Sequence, residues 1–206
     1  MRLRMDIKAQ AKQALASQRG TAILLYIVVG VIFAAAAGLT FGAATLLLMP
    51  LYIGLAQGFL QIWKAQKTEV SVLFSPFKNY GRSLGGILWM ELWIAIWSLL
   101  FVIPGIVKSI AYSFTPYILA EYPAVSSTDA LKLSMRITDG HKGAIFVFYL
   151  SYIGWGMLSA LTFGILEIVY VAPYRSIAFA GMYEDMKNYA LANGVITEDQ
   201  LNGAML

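Results

Sequence analysis

Four charged side chains lie inside long apolar segments, and their surroundings make them the first candidates for chemistry. They are Lys108, Glu167, Glu91 and Arg175. A single charge at the centre of a membrane helix costs about 2.5–3.5 kcal/mol on insertion scales, so each is expected to face a partner or a polar cavity. Their distances along the chain from neighbouring turns place Lys108 at the same depth in the membrane as Glu167, and Glu91 at the same depth as Arg175. We therefore predict two ion pairs, Lys108–Glu167 and Glu91–Arg175.

Two interpretations of these charges compete. In the first, the two balanced pairs hold the second and third helical hairpins together. In the second, the charges line a cavity that accepts a polar headgroup, an ion or a proton. The charge balance favours the first interpretation, and the second stays open.

Prolines and glutamines in the apolar segments are further candidates. Pro50, Pro116 and Pro173 each remove a backbone hydrogen bond, so they predict kinked helices. Such kinks either create a cavity or serve packing alone. Gln57 and Gln61 lie one helical turn apart, so they either bond between helices or face a cavity.

Several classes of chemistry have no support in the sequence. The chain has no cysteine, which excludes disulfides, thiolate chemistry and cysteine metal sites. Its single histidine, His141, has no second ligand nearby in the sequence, and the common nucleotide, metalloprotease and hydrolase motifs are missing. We therefore predict no catalytic residue, no metal and no cofactor. A membrane-embedded acid and base, such as Glu91 with a tyrosine, is the alternative.

Composition indicates where the chain resides. Of its 206 residues 59% are hydrophobic and only 13% are charged, and its mean hydropathy is +0.69. A soluble domain typically has about 25% charged residues. The segments Thr21–Pro50 and Leu92–Val107 contain no charge and are apolar on every face, which favours membrane helices over barrel strands.

These patterns predict an all-α integral membrane fold with three helical hairpins, each preceded by an interfacial amphipathic helix. Residues 1–190 form one membrane domain, and residues 191–206 form a cytoplasmic tail. The six predicted spans cover about residues 21–38, 43–63, 84–103, 106–120, 144–162 and 165–183.

A short internal repeat supports the hairpins. Leu39-Thr40-Phe41-Gly42 recurs as Leu161-Thr162-Phe163-Gly164, each copy between two apolar segments. Pro50 and Pro173 follow the two copies at nearly equal distances. We interpret this as a pseudo-threefold repeat with a looser central unit, against the alternative of a chance match.

Charge asymmetry predicts the orientation. All lysines and arginines except Lys108 and Arg175 lie in polar segments on one side of the predicted helices. Because positive charge is retained in the cytoplasm, both termini are expected there. The net charge of +4 is then explained by contact with anionic lipid, and no nucleic-acid partner is expected.

Several segments, in this order, resemble a known family. They are Leu73-Phe74, Phe77-Lys78-Asn79-Tyr80, Trp97-Ser98-Leu99-Leu100, Ile103-Pro104-Gly105-Ile106, Tyr112-Ser113, Tyr117-Ile118-Leu119, Ile153-Gly154-Trp155, Leu161-Thr162-Phe163-Gly164-Ile165 and Pro173-Tyr174. Over about residues 5–190 the chain resembles the bacterial domain-of-unknown-function 975 family of multi-pass membrane proteins, found widely in Gram-positive bacteria. The resemblance implies location and architecture, without catalytic residues. A distant similarity to the membrane region of some glycerophosphodiesterases suggests, by analogy, a lipid-linked role.

We therefore expect a non-enzymatic protein of the bacterial inner membrane that binds or moves an amphipathic molecule, either a lipid or a membrane-active peptide. The alternatives are an accessory or scaffold protein that binds a protein partner, and an enzyme acting on lipid headgroups. Kinked helices, intramembrane charges and a basic cytoplasmic face support the first.

Overall fold

The computed structural model describes residues 4–40 and 42–203, and the chain there is helical with no strand. Three parts of the sequence-based predictions lie outside the described residues: Arg2 of the amino-terminal segment, Phe41 of the first repeat copy, and residues 204–206 of the tail. In chain order the α-helices are α1 Arg4–Ser17, α2 Arg19–Thr40, α3 Pro50–Trp63, α4 Tyr80–Leu100, α5 Val102–Tyr112, α6 Thr115–Glu121, α7 Ser127–Thr138, α8 Lys142–Leu150, α9 Ile153–Leu161, α10 Ala172–Ala192 and α11 Glu198–Leu201. Two 3-10 segments, Ala43–Leu48 and Val70–Asn79, precede α3 and α4, and a π-helical segment, Glu167–Val171, precedes α10.

Five stretches are long and apolar enough to cross a membrane. They are Arg19–Thr40, Ala44–Trp63, Val70–Leu100, Val102–Glu121 and Lys142–Leu161. Together they indicate a membrane protein. The predicted sixth span, residues 165–183, is helical but is not among the five.

The predicted amphipathic helix at the amino terminus packs into the molecule. Ile7, Ala11 and Leu15 lie on one face of α1 and are buried, and the helix contacts α10 and α3. Lys8 donates a hydrogen bond from Nζ to Ser151 Oγ, at 2.7 Å, and lies 4.6 Å from the ring centre of Tyr152. The apolar face of α1 is therefore covered by protein.

Helix α3 lies at the centre of the bundle, and small residues allow close approach there. A side chain at Gly54 would collide with the backbone of Leu73, and one at Gly58 would collide with Leu25. The ring of Trp63 occupies the space beside Gly181 of α10. These contacts fix α3 against the Val70–Asn79 segment and α10, and they leave one polar edge of α3 uncovered.

The two repeat copies form turns with the same geometry. Gly42 and Gly164 have φ angles of 88° and 82°, and each donates its N–H to the carbonyl five residues earlier, on Ala37 and Ser159. The Thr40 and Thr162 hydroxyls each accept the N–H four residues later. Glycine favours this left-handed backbone at a helix end. The similarity covers the turns, and the threefold repeat stays a prediction.

Each of the three prolines predicted to kink a helix begins a helical segment. Pro50, Pro116 and Pro173 lie in the first turns of α3, α6 and α10. The missing N–H costs little at the starts of α3 and α6, because first-turn N–H groups have no partner within the helix. Pro173 instead comes just after the π-helical segment, within one continuous helical stretch. The backbone changes its hydrogen bonding just before each proline, and this corrects the expectation that they lie inside uninterrupted helices.

Candidate binding site

A groove beside α3 is the most prominent polar concavity that we find. Three cavities, of about 190, 520 and 210 Å³, share the side chain of Gln57, and two of them also share Gln61. Most other α3 residues are buried, whereas Gln57 and Gln61 are half-buried on its open edge. We call these joined cavities the glutamine groove. The sequence predicted that the two glutamines either bond between helices or face a cavity; both side chains line the groove, and Gln57 also bonds to the neighbouring Val70–Asn79 segment.

Hydrogen bonds hold the walls of the glutamine groove in place. Ser75 donates its hydroxyl to Gln57 Oε1 at 2.5 Å, which joins the Val70–Asn79 segment to α3. Arg82 donates to three carbonyl oxygens, those of Val125 at 2.6 Å, Tyr122 at 2.7 Å and Leu119 at 3.1 Å. Because the Leu119 carbonyl lies in the last turn of α6 and the other two follow its end, the guanidinium closes that end of the helix.

The groove is positively charged and partly apolar. Lys67 and Lys78 line it, are exposed, and have no hydrogen-bond or ion-pair partner within residues 4–40 and 42–203. Glu69 lies near them, and Phe74, with 48% of its surface exposed, forms an apolar edge. Amide, ammonium and aromatic groups together suit a molecule with an anionic polar end and an apolar part.

A closed network of charges borders the groove, and two of its members, Lys64 and Glu121, line the third of the three cavities. Glu121 accepts from Lys187 Nζ and from the Tyr183 hydroxyl, both at 2.8 Å, and also pairs with Lys64 at 2.5 Å. Glu184 pairs with Lys187 at 3.1 Å and with Lys64 at 3.4 Å. Only 5% of the Lys187 side chain is exposed. We call these five residues the buried network; it joins the carboxyl ends of α3 and α6 to the second half of α10.

The predicted intramembrane pairs are not the ones that form. Arg175 pairs with Glu167 at 3.1 Å, and Ser159 of α9 donates to the same carboxylate at 3.2 Å. Both charges lie on one helical stretch, which runs through the π-helical segment into α10. The Lys108–Glu167 and Glu91–Arg175 pairings were therefore wrong, since depth along a helix does not determine which way its side chain points.

Glu91 and Lys108 lie apart from that pair. Glu91 is exposed on α4 and makes no hydrogen bond or ion pair with any described residue. Lys108 Nζ lies 5.4 Å from the ring centre of Trp97, 5.6 Å from that of Tyr112 and 3.9 Å from Met135 Sδ. The four charges thus do not hold the second and third predicted hairpins together as two pairs.

Comparison with protein families finds one match. Residues 99–190 match the family described as "Protein of unknown function (DUF975)". This match supports the resemblance to the DUF975 family that the sequence indicated. Searches of curated proteins and of solved structures give no match.

The DUF975 match covers some of the polar groups and not others. It includes Lys108, Glu121, Glu167, Arg175 and Lys187. Helix α3, which carries Gln57 and Gln61, and the Val70–Asn79 segment both precede the matched residues. The glutamine groove is therefore formed where an unmatched part of the chain meets the DUF975 region at α6.

Sequence reasoning missed the buried network and the role of Arg82. Lys64, Arg82 and Lys187 were counted as charges at the membrane surface, and Glu121 was not singled out. One signal was present, because Glu121 is an acid at the very end of an apolar helix, a position where a cationic partner is expected. No local pattern indicates that Arg82 bonds to carbonyls about 40 residues later.

Proposed function

We propose that this protein binds or moves an amphipathic molecule, either a lipid or a membrane-active peptide, at the bacterial inner membrane, and that the polar end of this molecule lies in the glutamine groove. The supporting observation is the meeting of three cavities at Gln57, beside two lysines without partners. Their volumes, taken together, lie within the usual range for small-molecule sites.

Each lining group has a distinct task in this proposal. The amides of Gln57 and Gln61 donate and accept hydrogen bonds, so they recognise polar atoms of the bound molecule. Lys67 and Lys78 attract its anionic group. Phe74 contacts its apolar part. None of these tasks requires bond cleavage, and the proposal is of a non-enzymatic protein.

The membrane arrangement that we propose has six spans as three hairpins, with both termini in the cytoplasm. Two matching turns at Gly42 and Gly164 support it. The absence of cysteine allows a direct test with single cysteines at two exposed positions, Leu161→Cys and Asn202→Cys. An impermeant thiol reagent on intact cells should label Leu161→Cys and should label Asn202→Cys only after permeabilisation. Labelling of both from the outside would contradict the arrangement.

Native mass spectrometry of the protein extracted in mild detergent tests the binding function. The wild type should carry a co-purified amphipathic molecule, and the Lys67→Gln, Lys78→Gln double variant should lose it. Two cations near a membrane surface contribute about 2 kcal/mol, which is roughly a thirtyfold change in affinity.

A control for lost charge is available in Lys12→Gln, Arg19→Gln, because both residues are exposed and neither lines the groove. The control should retain the bound molecule. Equal retention by the groove variant and the control would contradict the proposal.

A scaffold function is the second candidate, and the buried network favours it. Charges that pair with each other inside the protein stabilise its shape and leave no group free for a ligand. A wild-type protein that carries no bound molecule, but co-purifies with a specific membrane protein, would favour the scaffold.

A further inference from the structure

A second cavity lies away from the glutamine groove, between α5, α7 and the start of α8. Its volume is about 360 Å³, and its cationic lining residues are Lys108, Lys132, Arg136 and Lys142. Asp139 is the single acid in its lining, and Val107, Ala111 and Met135 form its apolar wall. We call it the cationic crevice.

Two of the four cations of the crevice have no carboxylate partner among the described residues, and the other two form only surface pairs. Lys132 pairs with Asp129 and Lys142 pairs with Asp139, each at 3.1 Å and three residues apart on the surface. Exposed pairs of this kind hold their partners weakly. Lys108 faces aromatic rings and a thioether, and Arg136 has no hydrogen-bond or ion-pair partner among the described residues.

The crevice is held in shape before any ligand arrives. Ser134, buried on α7, donates to the carbonyl of Ala111 at 2.7 Å and accepts the N–H of Phe114 at 3.2 Å. Thr138, one turn further, donates to the Ser134 carbonyl at 2.9 Å. These bonds fix α7 against the end of α5. Little conformational entropy is therefore lost when a ligand binds.

The location of the crevice suits a headgroup. Lys108 lies within the candidate span Val102–Glu121, and Lys142 begins the candidate span Lys142–Leu161. Lys132 and Arg136 lie on the exposed face of α7, whose opposite face is buried. Cations thus stand where apolar helices meet a polar surface, with an apolar wall on the helix side.

We infer that the cationic crevice is a binding site for a phosphate group, carried by an anionic phospholipid headgroup or by a soluble phosphate compound. Arg136 supplies a planar guanidinium that matches phosphate oxygens, and the lysines supply compact charges around it. This site is separate from the proposed function, because it uses other helices and shares no lining residue with the glutamine groove.

The test uses the full chain in detergent, titrated with phosphatidylglycerol, with phosphatidylcholine, and with glycerol phosphate. Wild type should bind phosphatidylglycerol more tightly than phosphatidylcholine. The Lys108→Gln, Arg136→Gln variant should bind it about thirtyfold more weakly, the factor expected for two cations. The single variant Arg136→Gln changes an exposed side chain, so its fold should stay intact. Its affinity for phosphatidylglycerol should fall about fivefold.

Competition distinguishes the two sources of phosphate. Displacement of the lipid by millimolar glycerol phosphate assigns the crevice to soluble phosphate compounds, and failure of displacement assigns it to the lipid headgroup. Unchanged binding in the Lys108→Gln, Arg136→Gln variant, or an equal loss in Lys12→Gln, Arg19→Gln, would overturn the site. In the Lys67→Gln, Lys78→Gln background, the change Lys108→Gln, Arg136→Gln should still weaken phosphatidylglycerol binding about thirtyfold, so failure of the crevice and failure of the groove are separate results.

Discussion

The buried network and the cationic crevice contain similar residues but differ in how their charges are paired and how deeply they are buried. In the network, two lysines meet two glutamates, and Lys187 is almost wholly covered. In the crevice, four cations meet one lining acid, and two of the four have no carboxylate partner. The comparison shows that the number of charges says little about function. Pairing and burial decide whether a charge stabilises the fold or is available to a ligand.

The largest expected effect comes from opening the buried network. In Lys187→Met, the Glu121 carboxylate loses its most buried cationic partner. Breaking a buried pair on one side costs about 3 kcal/mol or more. Chemical or thermal unfolding in detergent measures the loss. Lys132→Met, which removes a surface pair at the crevice, should cost less than about 1 kcal/mol; equal losses would erase the distinction between the two clusters.

Removal of the Arg82 guanidinium should come next. Arg82→Gln removes the charged donor from the carbonyls of Leu119, Tyr122 and Val125, of which the Tyr122 carbonyl keeps the N–H of Val125. A charged hydrogen bond contributes about 1.5–3 kcal/mol. We expect a loss of about 2 kcal/mol in the unfolding free energy. Arg82→Lys keeps the charge but lacks the planar guanidinium with its several N–H donors. It should therefore restore only part of the lost unfolding free energy. Full recovery would show that charge alone matters at this position.

The Glu167–Arg175 pair should have a smaller effect. Polar side-chain contacts in membrane proteins average about 0.6 kcal/mol in double-mutant cycles and surface ion pairs contribute no more than about 1 kcal/mol, so we expect a coupling of about 0.5–1 kcal/mol. A double-mutant cycle with Glu167→Gln and Arg175→Gln measures this coupling. The same cycle for Glu167→Gln and Lys108→Gln should give about zero, because the two side chains do not meet. Coupling in the second cycle would restore the pairing predicted from the sequence.

Alkaline pH should reduce the contribution of Lys187. Burial lowers the pKa of its ammonium, but the hydrogen bond and charge of Glu121, with the charge of Glu184, outweigh this, so its pKa lies above the ordinary 10.5. A raised pKa means that the stabilisation is complete below pH 10.5 and is lost as pH rises through the folded-state pKa. The stability difference between wild type and Lys187→Met should therefore shrink above pH 10.5. A difference that shrinks on acidification from pH 8 to pH 6 would contradict this.

The smallest effect on stability is expected in the crevice. Arg136 is exposed and has no partner among the described residues, so Arg136→Gln should change the unfolding free energy by less than about 0.5 kcal/mol. The same thermal scans measure it. A loss comparable to that of Lys187→Met would mean that the crevice is structural.

Local features of the fold were accessible from the sequence. Thr21–Pro50 is apolar on every face, so a membrane helix was predictable there. The start of α7 also follows a local rule, because the Ser126 hydroxyl accepts the N–H of Asp129 three residues later. The repeated Leu-Thr-Phe-Gly predicted two turns, which share their geometry in the described residues. These features depend on neighbours a few residues apart.

Features that depend on distant parts of the chain were not accessible. Lys64 and Glu121 are 57 residues apart, and Lys187 is a further 66 from Glu121. The rotation of α5 about its axis, which turns Lys108 toward Met135 and away from Glu167, follows from packing against α7. Gln57 and Gln61 could be proposed as cavity residues because they lie one turn apart on a single helix. The lysines that line the same groove come from other parts of the chain, so their place in it depends on the packing of the fold.

Thermal unfolding with and without phosphatidylglycerol tests the comparison most directly. Lys187→Met should unfold at a lower temperature than wild type and should still be stabilised by the added lipid. Lys108→Gln, Arg136→Gln should unfold near the wild-type temperature and should lose most of the lipid-induced increase. The reverse result, with the lipid effect lost in Lys187→Met and kept in the crevice variant, would contradict the separation of a stabilising network from a ligand-binding crevice.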